Sequence, residues 1–137
     1  MNLTRFPEGD RFLSVDRAAL RGVVPSPGLS PVPDAPAWIV GAYNNLGRAV
    51  AAVDAAALLG LGAVTLPPAV LLLVQAPSGL IGLVADGSPD EVRAASRPRR
   101  GAVVEVVDRA SDLLRVDLAL FEGRMEAALA QAPPDTL

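Results

Sequence analysis

WIVGAYNNLGRAVAAV, residues 38–53, carries two runs of strand-forming residues, Trp38–Tyr43 and Arg48–Val53, on either side of Asn44-Asn45-Leu46-Gly47. Branched and aromatic side chains suit a pleated, half-buried surface. Asn and Gly tolerate the positive φ that a tight hairpin turn demands. The stretch therefore reads as a β-hairpin. Asp54 follows directly, and its carboxylate can accept first-turn N–H groups of the AAALL helical turn, with Gly60 as terminator.

Working outward toward the amino terminus, Pro25 to Pro36 holds five prolines and reads as an extended, irregular connection. Before it, Leu3–Phe6 and Arg11–Val15 flank Pro7-Glu8-Gly9-Asp10, a second hairpin, and Asp16 is placed to cap a short helix through Leu20. Toward the carboxyl terminus the pattern restarts after Pro67-Pro68. Ala69–Gln75 and Leu80–Ala85 are strands around an APSG turn. Asp86-Gly87 is a turn, and Ser88–Glu91 opens a short helix. Ala102–Val107 and Leu113–Val116 are strands around DRASD. Asp117–Ala132 is the one long helix, with Leu118, Phe121, Met125 and Leu129 on its apolar face. Many short strands with frequent turns mean a mainly β sandwich or barrel. The restart divides the single domain, residues 1–137, into two small subdomains with a junction near 65–69.

Composition narrows the chemistry. The chain has 137 residues, no His, no Cys, and 12 basic residues, all Arg, against 15 acids, for a net charge of −3. It therefore lacks the usual general base, a thiolate nucleophile and thiolate-bound zinc. Carboxylate chemistry, a carboxylate-bound magnesium or calcium, or no chemistry remains. The acidic balance disfavours nucleic acid, and the basic run Arg97-Pro98-Arg99-Arg100 reads as a solvated loop. The longest apolar stretch, Ala55–Val64, is shorter than the ~20 residues a spanning helix needs. The amino terminus shows no secretory signal, so a cytoplasmic protein without membrane insertion is expected.

Three blocks carry a family resemblance. VPDAPAWIVGAYNNLGRAVAAVDAAALLGL, residues 32–61, resembles the CheW-like domain, the chemotaxis coupling-protein family. That family carries Pro-x-x-Pro, then Gly-x-x-Asn-x-Arg-Gly-x-x-x-Pro-x-x-Asp-Leu; Pro33, Pro36, Gly41, Asn44, Gly47 and Asp54 match. AVLLLVQAPSGLIGLVADGSPDEV, residues 69–92, is similar to the family's strand, turn and Gly-x-x-x-Asp segment, with Gly82 and Asp86 in place. VVEVVDRASDLLRVDLALF, residues 103–121, is similar to its closing strand pair and helix, with Asp117 at the acid position. The resemblance is weakest before about Leu20. It implies two intertwined, small SH3-like β-barrels with short helices and a carboxyl-terminal α-helix, the amino-terminal strands being candidates for sharing between the barrels.

The resemblance also implies an adaptor without catalytic activity, metal or cofactor. Its partners would be a chemoreceptor (methyl-accepting) signalling tip and the regulatory domain of a CheA-type histidine kinase. Partner contact is expected along Val40, Gly41, Tyr43, Asn44, Leu46, Gly47, Arg48 and Val50. Three departures bear on this. The family's central Arg falls on Leu46 and its following Pro on Ala51, and the loop after Arg93 is short. Leucine cannot make an arginine's bidentate polar contacts, so one partner contact is a candidate for loss or change.

Each residue also has a plainer reading. Gly41 and Gly47 suit backbone geometry, whether positive φ or close approach. Asn44 suits its own turn, Asp54 and Asp117 suit helix caps, and Asp86 a turn. Trp38 and Tyr43 fall on opposite sides of one strand, one for the core and the other a candidate exposed anchor. Nothing in the sequence pairs two acids for acid–base work. Gly60-Leu61-Gly62 lacks the Lys and third Gly of a phosphate loop. The leading expectation is a receptor–kinase adaptor. Its rivals are a decoy or a link to a non-standard motility partner, and a small carboxylate-based enzyme or ligand-binding barrel.

Overall fold

Two five-stranded sheets organise the computed structural model, which describes residues 2–93, 103–108 and 113–131. The amino-terminal hairpin is β1 (Asn2–Glu8) and β2 (Arg11–Asp16). A 3-10 turn (Arg17–Ala19) leads to β3 (Leu20–Pro25). The expected central hairpin is β4 (Ile39–Asn45) and β5 (Arg48–Val53), followed by the single turn of α1 (Ala55–Leu58). Then come β6 (Val70–Ala76), β7 (Gly79–Ala85) and β8 (Asp90–Arg93). The last described elements are β9 (Val104–Asp108), β10 (Leu113–Val116) and α2 (Leu118–Gln131).

The first sheet, in the order β8-β1-β2-β10-β9, is woven from both ends of the chain. The second, β3-β6-β7-β5-β4, is made from the middle. Residues 65–69 connect α1 to β6, and the strands on both sides of that segment lie in the second sheet. The chain changes sheets at the 3-10 turn and between β7 and β8. The second sheet also closes on itself. Ser26 N–H donates to the Ala69 carbonyl at 2.8 Å, and Ser30 and Ala42 exchange backbone bonds of 2.8 and 2.9 Å. The proline-rich segment thus continues from β3 past Ala69 and lands on the open edge of β4.

This closure explains the near-continuous apolar run of β6, because both its faces are buried. Val70, Leu72 and Val74 join Phe6, Leu13, Val15, Leu83, Val116 and Phe121 in the core between the sheets and α2. Leu71 and Leu73 face the other way, with Val50, Ala52, Val64 and Val84, into the closed second sheet. Phe6 and Phe121 are fully buried; truncating either to Ala would cost about 3–5 kcal/mol. On α2, Leu118 and Met125 pack against this core, but Leu129 is 48% exposed, so the expected apolar face fades at the last turn.

Two local expectations give way to distant pairing. Asp16 makes no side-chain cap and no α-helix follows it. Its carboxylate instead receives Nε and Nη2 of Arg115, each at 3.0 Å. Ser88–Glu91 opens no helix; Asp90–Arg93 is β8, antiparallel to Asn2–Arg5 of β1, with Arg5 donating to Asp90 at 2.9 and 2.5 Å. The DRASD turn and the Arg97–Arg100 run lie outside the described residues, the former except for Asp108. Asp117 caps α2 as expected, accepting from Ala119 and Leu120 N–H at 3.1 and 3.2 Å.

Candidate functional site

The β4–β5 hairpin closes on Asn45 opposite Arg48, leaving Leu46-Gly47 as a two-residue turn. Both turn residues have positive φ, 53° at Leu46 and 88° at Gly47, the pattern of a type I′ turn. Gly takes this conformation freely, but a leucine Cβ crowds its own carbonyl there, at a cost of about 1–2 kcal/mol. Asn44 offsets part of that cost, its Oδ1 accepting the Gly47 N–H at 2.8 Å. The positive φ anticipated for Gly is met at Gly47, whereas the one open to Asn falls instead on Leu46, whose side chain is 98% exposed.

The other residues expected at the contact surface divide by burial. Asn44, Gly47 and Arg48 are exposed with Leu46. Val40 and Tyr43 are half-buried against the inner core of the second sheet. Gly41 and Val50 are buried and shape the hairpin from beneath. A Cβ on Gly41 would lie 2.9 Å from the Ser30 carbonyl and 3.0 Å from Leu29 Cβ, so glycine permits the close landing of the proline-rich segment. Trp38 packs on the inter-sheet core and Tyr43 on the other, opposite sides as expected. Both are half-buried, and neither stands free as an exposed anchor.

The sequence pairs no two acids for acid–base work, yet three acids come close in the fold. Glu8, Asp54 and Asp86 converge where the β1–β2 turn, the start of α1 and the end of β7 come together. Asp54 caps α1 as expected, accepting from Ala57 N–H at 3.1 Å, and also from Val64 N–H at 3.0 Å. Asp86 is more than a turn acid: it accepts from Gly9 N–H at 2.6 Å and Thr65 N–H at 2.7 Å. Glu8 is 1% exposed; one oxygen accepts from Ala56 N–H at 2.8 Å, and the other has no partner. Burial first, and the Asp54 and Asp86 charges after it, outweigh that bond and push the Glu8 carboxyl up to about 9. Glu8 is therefore a neutral acid at neutral pH.

A raised carboxyl beside two others is the arrangement that acid–base catalysis uses. Here it is sealed, with Glu8 and Asp54 both buried and committed to backbone N–H groups. Among the described residues no cluster of three or more acids is placed to hold a metal. Two concave sites among the described residues also lie elsewhere. One, of about 530 Å³, runs from Asp16 and Arg115 to Pro77 and the start of α2. The other, of about 230 Å³, lies between Trp38, Ile81 and Met125. The cluster was half legible: Glu8 shares the inward alternation of Thr4 and Phe6, whereas its meeting with Asp54 and Asp86 depends on the topology.

A mainly β fold closed by a carboxyl-terminal helix, with an exposed hairpin and a largely buried acidic cluster, is the class these features define. The CheW-like domain family model matches residues 4–125, and the chain belongs to that family. It is 30% identical over 128 residues to chemotaxis protein CheW of Rhizobium meliloti (strain 1021), covering 90% of this chain and 79% of that protein. The fold is similar to the crystal structure of scaffolding protein TtCheW from Thermoanaerobacter tengcongensis. That match has a TM-score of 0.70 at 17% identity, over 88% of this chain and 90% of the other. Among the described residues no helix is long and apolar enough to cross a membrane.

Proposed function

We propose that this chain is a non-catalytic, cytoplasmic adaptor of a chemosensory pathway, holding a chemoreceptor signalling tip to the regulatory domain of a CheA-type histidine kinase. The observation that carries the proposal is the family match across residues 4–125, with chemotaxis and scaffolding relatives on either side of it. The structure is in keeping with it. A link of this kind raises effective concentration and fixes geometry, and needs no reacting group. Of the acids that meet, Glu8 and Asp54 are buried and Asp86 is taken up by two backbone N–H groups, and the exposed β4–β5 tip is held by Asn44.

Leu46 favours a second reading, in which one partner is bound and the other is not, so that the chain acts as a decoy or joins a non-standard partner. An exposed leucine at the family's Arg position cannot reproduce a guanidinium's paired hydrogen bonds. Separate titrations of the purified chain against the kinase regulatory domain and the receptor tip test both readings. Tight binding to both supports the adaptor and removes the decoy. Binding to one supports the decoy. Binding to neither, with neither protein recovered by pull-down from the source cell, overturns the proposal.

A further inference from the structure

A groove of about 230 Å³ runs between the second sheet and the later turns of α2. Its floor is apolar. Trp38, Ile81 and Met125 pack against the inter-sheet core, with half-exposed Leu129 beside them. Its rim is acidic. Glu122, Met125, Glu126 and Leu129 follow the i, i+3, i+4, i+7 spacing of α2, so one helix face brings both carboxylates to the groove. Glu122 is fixed by the β6–β7 turn, accepting from the Ser78 hydroxyl and, at 3.1 Å, from the Ser78 N–H. Glu126 is exposed and has no partner among the described residues. No arginine among those residues lines the groove.

We propose that this groove docks a basic amphipathic helix of a partner protein, one large apolar side chain entering it and flanking Arg or Lys residues pairing with Glu122 and Glu126. The volume falls below the roughly 300–1,000 Å³ of a small-molecule site and suits a single side chain. An extended segment finds no free strand edge there. β5 and β7 are paired on both sides, Ile39 N–H donates to the Pro36 carbonyl at 3.0 Å, and the Trp38 carbonyl accepts the Asp54 N–H at 2.8 Å. A helix brings its backbone bonds already made and needs only a groove. A second copy related by a two-fold axis would set this acidic face against itself. An anionic bilayer would be repelled as well. The groove shares no residue with the expected hairpin contacts, so the proposal goes beyond the adaptor reading and is tested without receptor or kinase.

The probe is a synthetic Ala-based helix of about 18 residues, long enough to be helical alone, with one central Leu and an Arg one turn to each side. One control peptide replaces the Leu by Ala, and another replaces both Arg by Glu. Trp38 is the only tryptophan of the chain and lines the groove, so its fluorescence reports occupancy directly. Saturable change with the Arg–Leu helix is expected, with each control weaker by about tenfold or more. Glu126→Lys should keep the wild-type Tm, since the side chain is exposed and unpartnered. It should also lose about tenfold for the Arg peptide and gain for the Glu peptide, a reversal that lost stability would not produce. No saturable change with wild type overturns the proposal, as does equal binding of the Arg and Glu peptides or an unchanged preference in Glu126→Lys. Sedimentation of the chain alone covers the second copy: wild-type self-association that Glu126→Lys abolishes would overturn the proposal in its favour.

Discussion

Glu8 Oε2 accepts the backbone N–H of Ala56 at 2.8 Å across 48 residues of sequence, tying the amino-terminal hairpin to the first turn of α1. The bond forms inside the protein, with Asp54 and Asp86 close enough to raise the same carboxyl to about 9. In the unfolded chain Glu8 titrates near the ordinary glutamate value. The folded state therefore binds more protons than the unfolded state between about 4.5 and 9.

Stability should accordingly fall as pH rises through that window, because folding must keep a proton that the unfolded chain gives up. Glu8→Gln keeps a neutral acceptor for Ala56 and removes the titration. Its expected signature in urea unfolding is a flatter pH dependence between about pH 5 and 9. At pH 8 the variant should exceed wild type by on the order of a few kcal/mol. A wild-type slope retained in the variant would show that Glu8 is not the group responsible.

Asp86 serves two segments at once, Gly9 in the β1–β2 turn and Thr65 after α1. Asp86→Ala leaves both N–H groups without their acceptor, at an expected cost of about 1–3 kcal/mol. Asp86→Asn keeps one good acceptor oxygen and should cost about half as much. Hydrogen exchange provides the local check: the Gly9 and Thr65 amides should both accelerate in the Ala variant, ahead of the global change. Protection retained at both would exclude the clamp.

Arg115 and Asp16 form a paired contact with both distances at 3.0 Å, the arginine side chain mostly buried and the aspartate half-exposed. It fastens the strand before α2 to the end of the amino-terminal hairpin. A double-mutant cycle of Arg115→Ala and Asp16→Ala should give a coupling of about 1–2 kcal/mol, discounted for the solvent at Asp16. Arg115→Lys should recover little of it, since one ammonium cannot serve both oxygens. A coupling below about 0.3 kcal/mol would reduce the pair to a surface contact.

These pairs also mark where the sequence stops being readable. The central hairpin, the amino-terminal hairpin, the β6–β7 pair and α2 were legible because alternation, turn residues and caps act within a few residues. Asp16 and Ser88–Glu91 carry the local composition of helix starts, yet the partners that decide their conformation, Arg115 and β1, are 99 and about 85 residues away. Tertiary pairing overrides a weak local preference at such sites. Leu46 shows the converse. Its turn was legible, but its positive φ and exposure follow from the Asn45–Arg48 register, which shifts the turn onto a residue that chemistry alone would not choose.

Gly41 and Gly47 separate the two uses of glycine within one hairpin. A Cβ at Gly41 meets the Ser30 carbonyl at 2.9 Å and Leu29 Cβ at 3.0 Å, whereas at Gly47 it meets nothing within 4 Å but must accept φ 88°. Gly41→Ala should therefore push the proline-rich segment off β4, costing about 1–3 kcal/mol and exposing the Ala42 amide that now donates to Ser30 at 2.8 Å. Gly47→Ala should cost about 1 kcal/mol through backbone strain alone, with Ala42 protection unchanged. Exchange at Ala42 discriminates the two mechanisms even if the variants lose equal stability. Equal protection there in both would mean that the Ser30–Ala42 bridge does not depend on the missing side chain, and that the edge of β4 is held by the hairpin alone.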